Sequence, residues 1–430
     1  MQLLQNGKVI NIIENTLNYV DPRLMDHGRR VAYLMYKTLT SHNNIDILLE
    51  KGHLLHKNHL RDIVILALLH DIGAYKTEEI DNMLSFETVD VWNHSIYGYL
   101  FLKHLSPISY LAPIVLFHHG YCKQVNIIHN QQQRALSQLL CLCDRADIYS
   151  LLGKGDDDFK DYLCKNRNKK FSGEAIDLFN RANINIENVF EAMGDDCGFN
   201  DIFHNSTLTE SEVTSFIEML VFSIEFRSKQ TVIHTVGVKS VVTKIAELLK
   251  LNDEDVNKLK TSAMLHDLGK VGVPLSILES SHVLSDIDMD VMKRHVEITN
   301  SIIKGNVGEE IRRIAVRHHE RLDGSGYFMK INEKQLTTLE RILAVADIFS
   351  ALWGSRSYKK PYPKDKVISL LNEMSYNHHY IDSDLVNLVA NHYDEIEAGI
   401  ISDSKPILYT YALINEEYKI VHIDVQSANI

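Results

Sequence analysis

The chain repeats itself, and no other feature limits its possible folds as strongly. LALLHDIG (Leu66 to Gly73) returns as SAMLHDLG (Ser262 to Gly269), LFHHG (Leu116 to Gly120) as VRHHE (Val316 to Glu320), and RADIYSLL (Arg145 to Leu152) as VADIFSAL (Val345 to Leu352). A lone upstream histidine recurs as well, His27 within MDHGRRVAYL and His234 within VIHTVGVKSV. Similar segments in the same order mean two copies of one domain. With 430 residues, each copy is long enough to bury a core of its own. The expected division is 1–195, 205–405 and a tail at 406–430, with the polar GDDCGFNDIFHNST (Gly194 to Thr207) as the junction.

Helical periodicity dominates both copies. Leu24, His27, Val31 and Leu34 follow an Asp21-Pro22 start signal at steps of three and four, and His234, Val238, Val241, Ile245 and Leu248 do the same. Both lone histidines therefore share an apolar stripe. A histidine in such a stripe is more often a hydrogen-bonded core residue than a ligand, but its repeated placement relative to the other motifs favours a ligand here. Thr209 and Glu212 read as a capping box opening a helix through Phe216, Leu220 and Glu225. The polar run Gly153 to Gly173 reads as an excursion between helices, and ILYTYALI and YKIVHIDV around Asn415-Glu416-Glu417 suggest a small C-terminal β-hairpin. That hairpin apart, the expected fold is all-α.

Composition narrows the function. A net charge of −12 argues against a polymeric nucleic-acid binder, which would show a basic face, so an anionic ligand must be held by local cations. No 18-residue apolar run is present to span a bilayer, and the N-terminal MQLLQNGKVI lacks the pattern of a signal peptide. Cys122, Cys141, Cys143, Cys164 and Cys197 are odd in number and lack zinc-type spacing, which reads as free thiols in a reducing cytoplasm.

The second copy holds the richer chemistry. RHHERLDGSGY (Arg317 to Tyr327) sets His318 and His319 side by side before Glu320, Asp323 and a glycine turn at Gly324 and Gly326. Upstream, His266 and Asp267 sit about 100° apart at a helix end, where the last carbonyls favour a cation. Imidazoles with shared carboxylates suit divalent iron, manganese or zinc. A pair of such ions makes a strong nucleophile from water near neutral pH and neutralises non-bridging phosphate oxygens.

Taken in order, MLHDLGK (Met264 to Lys270), RHHERLDGSGY and RILAVADIF (Arg341 to Phe349) resemble the HD-GYP family of cyclic dinucleotide phosphodiesterases, over roughly residues 210 to 400. Phe328 stands where the family has the proline of GYP. The resemblance implies two tandem HD-type helical domains and two or three divalent metal ions, iron or manganese foremost, with zinc, nickel or magnesium as alternatives. It implies that His234, His266, Asp267 and Asp347 hold one ion, that Asp267, His295, His318 and His319 hold another, and that Glu225 occupies the place of a third-ion ligand. Asp267 and Lys270 take catalytic places, Lys270 at the scissile phosphate. Arg356 and Lys359 match basic positions that grip a second phosphate, with Ser357 replacing a proline of that segment, and Tyr327 stacks on or supports the ligand. The bland reading of Lys270, Arg356 and Lys359 is as solvated surface cations.

The first copy carries His27, His70, Asp71, His94, His118, His119 and Asp144, nearly a full ligand set for a second metal site. Ala74 replaces Lys270, no DGSGY follows His119, and the last aspartate is either Asp147, by the local ADIYS match, or Asp144, by family spacing. This favours regulatory, dimerising or substrate-shaping work, with a second phosphohydrolase centre as the alternative. For the whole chain, the expectation is hydrolysis of cyclic di-GMP or 3′,3′-cyclic GMP-AMP to a linear dinucleotide. Two competing readings are a cyclic dinucleotide receptor that has lost turnover and signals through a protein partner, and an HD hydrolase of other nucleotides, against which DGSGY argues. A homodimer is left open.

Overall fold

The computed structural model describes residues 6–52, 54–56, 59–76, 92–204, 208–226, 229–280, 282–354 and 362–427. Among the described residues the chain is helical throughout, and the only β feature is an isolated bridge between Arg167 and Phe171. It divides into two compact units, one of Val20–Met219 with Leu413–Ile430 and one of Met1–Tyr19 with Leu220–Ala412. The expected boundaries at 195, 205 and 405 differ from these in three ways, the first being that Leu413–Ile430 joins the N-terminal unit and is no separate tail. Helix Asn6–Leu17 groups with the C-terminal unit, where Asn15 Nδ2 donates to the Ile302 carbonyl at 3.1 Å. Helix Glu210–Glu225, opened by the expected Thr209–Glu212 capping box, contributes residues to both units.

The repeat is visible element by element. Helices His27–Thr40, Leu60–Leu68, Trp92–Leu105, Ala112–Leu116 and Gln131–Leu151 of the first unit follow one another as Lys229–Leu248, Asp253–Leu265, Asp286–Ile303, Glu309–Val316 and Thr338–Trp353 do in the second. Local sequence starts them. Asn130 accepts from Gln133 N at 3.0 Å, Asn252 from Asp255 N at 2.9 Å and Ser285 from Asp288 N at 3.2 Å, each occupying a backbone donor that the first helical turn leaves free. Thr337 and Glu340 form a reciprocal capping box at the head of Thr338–Trp353. The apolar stripe of Lys229–Leu248, with Val238, Val241 and Ile245 fully buried, packs against Ile342, Val345 and Phe349 of Thr338–Trp353. Those two helices carry the first and last metal-type ligands of the second copy.

Two sequence expectations are corrected. Gly153 to Gly173 is no bare excursion: helix Asp156–Asn166 lies inside it, its first turn acidic with Asp156, Asp157 and Asp158, and Phe159 and Leu163 buried. The C-terminal β-hairpin is absent, because helix Tyr393–Ser427 runs through the whole tail segment that was to form it. Ile396, Ile400, Ile407, Ile414 and Val425 are buried at helical spacings, whereas alternate residues such as Tyr409 and Ile423 are exposed. The supposed turn residue Glu417 instead pairs with Lys103 at 2.7 Å and His104 at 3.0 Å, and Tyr418 stacks on Tyr97 at 4.5 Å. Tertiary contacts of the tail thus prevail over a short alternating pattern.

Candidate metal centre

In each copy the His-Asp doublet ends one helix and is pressed against the helix that carries the third histidine. A Cβ on Gly269 would fall 1.9 Å from the His295 carbonyl oxygen, and one on Gly73 would fall 2.0 Å from that of His94. Only glycine permits this approach. In the second copy Thr299 fastens the contact, accepting from Gly269 N at 2.9 Å and donating to the His266 carbonyl at 3.1 Å.

The expected ligands of the second copy converge. His234 Nε2 lies 3.1 Å from Asp347 Oδ1 and 3.6 Å from Asp267 Oδ2, and His266 Nε2 lies 3.1 Å from Asp267 Oδ2. Facing the other oxygen of Asp267, His295 Nε2 stands at 3.4 Å and His318 Nε2 at 3.9 Å, with 3.4 Å between the two ring nitrogens. His319 Nδ1 is 3.8 Å from Asp347 Oδ2. Asp267 therefore stands between two sets of imidazoles, as a bridging carboxylate must.

Tautomers are set by the helix ends themselves. Nδ1 of His266, His295 and His318 each donates to the carbonyl three residues back, Ala263, Met292 and Ala315, at 2.6 to 2.7 Å. Each fixes Nδ1 as the donor and directs Nε2 at the centre; burial opposes charge on His266, yet Asp267 and Asp347 carry it up to about 9, so an ion bound there takes the place of a proton. Burial would raise the Asp267 carboxyl, but the neighbouring His266 and Lys270 hold it well below the usual range; Asp347 is likewise held low by His234 and His319. Both carboxylates are ionised at neutral pH.

Lys270 Nζ contacts Asp267 Oδ2 at 2.5 Å. Glu225 is buried, which pushes its carboxyl up to about 8; one oxygen accepts from Thr235 and the other has no hydrogen-bond partner. A cavity of about 450 Å³ opens over the centre, lined by Glu225, His234, Lys270, His295, His319 and Tyr327 among others. Arg356 and Lys359 lie outside the described residues.

The glycine turn of DGSGY is a fold-back onto the histidine pair. A Cβ on Gly326 would fall 2.5 Å from the Glu320 Cα and 2.7 Å from the His319 carbonyl oxygen, so this glycine lets the loop fold back on its own histidines. Glu320 then accepts from the backbone N–H groups of Met329, Lys330 and Ile331 at 2.7, 3.2 and 3.1 Å. The result seats the Tyr327 ring 4.6 Å from that of His319. Phe328 has φ +89°, which proline, locked near −65°, cannot adopt. The departure from GYP thus accompanies a local backbone that excludes proline.

The first copy also assembles its ligands. His27 Nε2 lies 3.3 Å from Asp144 Oδ1 and 3.6 Å from Asp71 Oδ2, while His118 and His94 Nε2 lie 3.4 and 3.6 Å from Asp71 Oδ1. His70 Nε2 is 3.3 Å from Asp71 Oδ2, and His119 Nδ1 is 3.4 Å from Asp144 Oδ2. Asp144 therefore holds the place of Asp347. Asp147 lies one turn on, matching Ser350, and binds the far side of His27 at 2.7 Å together with Arg30 at 2.6 Å. Burial opposes charge on His27, yet Asp144 and Asp147 carry it up to about 10. Arg145, 1% exposed, grips Asp144 at 2.7 Å.

Both sets suit a metal. His70 Nε2, Asp71 Oδ1, His119 Nδ1 and His266 Nε2 are buried without a hydrogen-bond partner, which is costly unless something of complementary charge sits among them. Sequence reasoning missed the supports. Arg317 bonds Glu340, fully buried, at 2.9 Å, tying the residue before His318 to the helix of Asp347. The roles of Arg30, Arg145, Glu320 and Thr299 were equally silent, since each depends on a partner distant in sequence or a turn whose geometry no spacing announces.

Models of the HD domain match residues 24–152 and 214–385. The chain belongs to the HD-domain proteins and carries two such domains in tandem. It is 24% identical to the 3′3′-cGAMP-specific phosphodiesterase 1 of Vibrio cholerae, over 84% of this chain and 85% of that one. It is 36% identical to a cyclic di-GMP phosphodiesterase response regulator of Xanthomonas campestris, over 36% of this chain and 42% of that one, and so spans less than half of that protein's length. In fold it resembles a solved Vibrio cholerae phosphodiesterase described as specific for cyclic GMP-AMP, with TM-score 0.53, 16% identity and coverage of 92% of this chain and 97% of that chain. Among the described residues no helix is long and apolar enough to cross a membrane.

Proposed function

We propose that the chain is a metal-dependent phosphodiesterase that opens a cyclic dinucleotide to its linear form, and that the second copy performs the reaction. The observation that carries this reading is the convergence of His234, His266, Asp267, His295, His318, His319 and Asp347 on the floor of an open cavity that Lys270 and Tyr327 also line. Two divalent cations, iron or manganese, would be held by His234, His266, Asp267 and Asp347 on one side and by Asp267, His295, His318 and His319 on the other, with Glu225 placed for a third. Such ions supply Lewis acidity and a lowered water pKa.

The protein's own groups do the rest. Three Nδ1–carbonyl bonds keep the imidazole Nε2 atoms turned inward, so no ring must flip as the ligand arrives. The Lys270 ammonium stands at the cavity wall, where a non-bridging phosphate oxygen can take it over from Asp267. Tyr327 covers one face of His319 and holds its ring. Met289, Met292 and Leu284 give the cavity apolar sides suited to nucleobase faces. Between the two expected substrates, 3′,3′-cyclic GMP-AMP is favoured, because the relative aligned along most of this chain has that specificity in its name.

The test is incubation of the purified, iron- or manganese-loaded chain with each dinucleotide, with products resolved by chromatography. Linear product that disappears with Asp267→Ala is expected; both substrates left intact would refute the proposal. A binding-only receptor draws on the non-proline loop at Phe328. Tight binding without turnover under the same metal loading would favour it.

A further inference from the structure

We infer that Asn15, within helix Asn6–Leu17, and Tyr19, just beyond it, are positioning residues of the second copy's centre: they hold the turn that carries Lys270. A segment that precedes the first copy in the chain thus completes the site of the second. The inference rests on the reading of the second copy as the hydrolytic one and names what keeps its lysine in place.

The contacts at the turn carry it. Lys270 lies in the short 3-10 helix Leu268–Gly272, where Lys270 N donates to the Asp267 carbonyl at 3.0 Å and Val273 N to the Lys270 carbonyl at 3.1 Å. Hydrogen bonds of this kind are poorly aligned, so the turn's place depends on what packs against it. Its first half is fixed at Gly269, which lies against the His295 carbonyl and is held by Thr299. Its far end is fixed at Gly272. A Cβ there would fall 2.8 Å from Ile298 Cδ1, and 3.7 and 3.8 Å from the carbonyl oxygen and Cδ1 of Tyr19, so this end touches both helix Asp286–Ile303 and Tyr19.

Asn15, about one helical turn before Tyr19, ties its own helix to the same neighbour. Its Nδ2 donates to the Ile302 carbonyl at 3.1 Å, Asn306 Nδ2 donates to that carbonyl at 3.1 Å as well, and Asn11 Nδ2 donates to Asn306 Oδ1 at 3.5 Å. Val9, Ile10, Ile12 and Ile13 are fully buried, which makes the helix a fixed part of this unit. Lys270 depends on that support. Its side chain meets Asp267 but is 27% exposed at the cavity wall, so the backbone of the turn sets where the ammonium stands. The matching turn of the first copy, Ile72–Lys76, carries Ala74 at this place.

The test is a double-mutant cycle of Tyr19→Ala with Lys270→Ala in the full-length, manganese-loaded chain. It is read by kcat and KM for 3′,3′-cyclic GMP-AMP beside hydrogen exchange of the backbone amides of residues 266–273. Tyr19 is 37% exposed, so removing its ring opens no core cavity. Tyr19→Ala should lower kcat roughly 10-fold with KM little changed, as a displacement of under about 1 Å does, and should speed exchange in 266–273. In the Lys270→Ala background it should cost nothing further, and Tyr19→Phe, which keeps the ring, should match the wild type in both readouts. A fully additive loss, unchanged exchange, or full kcat in Tyr19→Ala each overturns the inference. Should Tyr19→Ala fail to fold, Asn15→Ala, which gives up a single hydrogen bond, takes its place in the cycle. A wild type that turns over neither dinucleotide would sink the hydrolytic reading instead, and exchange alone then decides whether Tyr19 holds the turn.

Discussion

The two copies share helices, motifs and ligand spacing, yet three of their matched ligands differ in how much they meet solvent. In the second copy His234, His319 and Asp347 retain 16, 28 and 9% side-chain exposure toward a cavity; their counterparts His27, His119 and Asp144 retain 4, 2 and 1%. The first copy fills the space with charge of its own. Arg30 and Asp147 occupy the positions of Gly237 and Ser350, and a Cβ on Gly237 would fall 2.6 Å from Ser350 Oγ. One scaffold thus leaves these three ligands exposed where a small pair leaves room and covers them where a buried ion pair takes it, while the shared carboxylate runs the other way, Asp71 at 15% against Asp267 at 8%. Ligand identity alone does not separate the two; what surrounds the ligands does.

Five substitutions press on that contrast. Asp267→Asn removes the carboxylate between the two imidazole sets, and turnover of the dinucleotide should fall on the order of 10³-fold, the rate equivalent of several kcal/mol of lost charge stabilisation, as measured by product chromatography. Arg145→Met leaves Asp144 buried without its cation, at a cost of roughly 3–5 kcal/mol in denaturant unfolding. That loss should be larger after EDTA treatment than with metal bound; equal losses would break the assignment of Asp144 to a metal-bearing centre.

Gly269→Ala forces the doublet away from His295, and a displacement of about 1 Å at such a site costs roughly 10²-fold in kcat. Gly73→Ala meets the same obstacle at His94 and should register instead as a lower melting temperature and lost metal. Equal effects of the two glycine variants on kcat would erase the contrast. Glu320→Gln weakens the acceptor of three backbone N–H groups and should raise KM for the dinucleotide several-fold, consistent with about 1 kcal/mol, as Tyr327 loses its seat over His319. An unchanged KM would show that the loop holds itself.

Much of this was legible in the chain. The repeated His-Asp, His-His and Ala-Asp-Ile segments announced two all-α copies because each ligand pair sits on one helix end, where local spacing and periodicity speak directly. Caps such as Thr209 with Glu212 were legible for the same reason. The tail was misread because ILYTYALI satisfies an alternating pattern as well as a helical one, and only the burial of Ile407 and Ile414 and the contacts of Glu417 and Tyr418 decide between them.

What the sequence determined by itself was the inventory: which imidazoles and carboxylates are present, in what order, on which helices, twice over. Tertiary structure alone decided that Asp144 rather than Asp147 faces His27 Nε2, that Arg145 points inward, and that His27, His119 and Asp144 are more covered than His234, His319 and Asp347. Those outcomes depend on which side chains meet across more than a hundred residues of intervening chain. Burial and neighbouring charge, which govern whether a carboxylate binds metal or pairs with a guanidinium, come into being only when the helices pack.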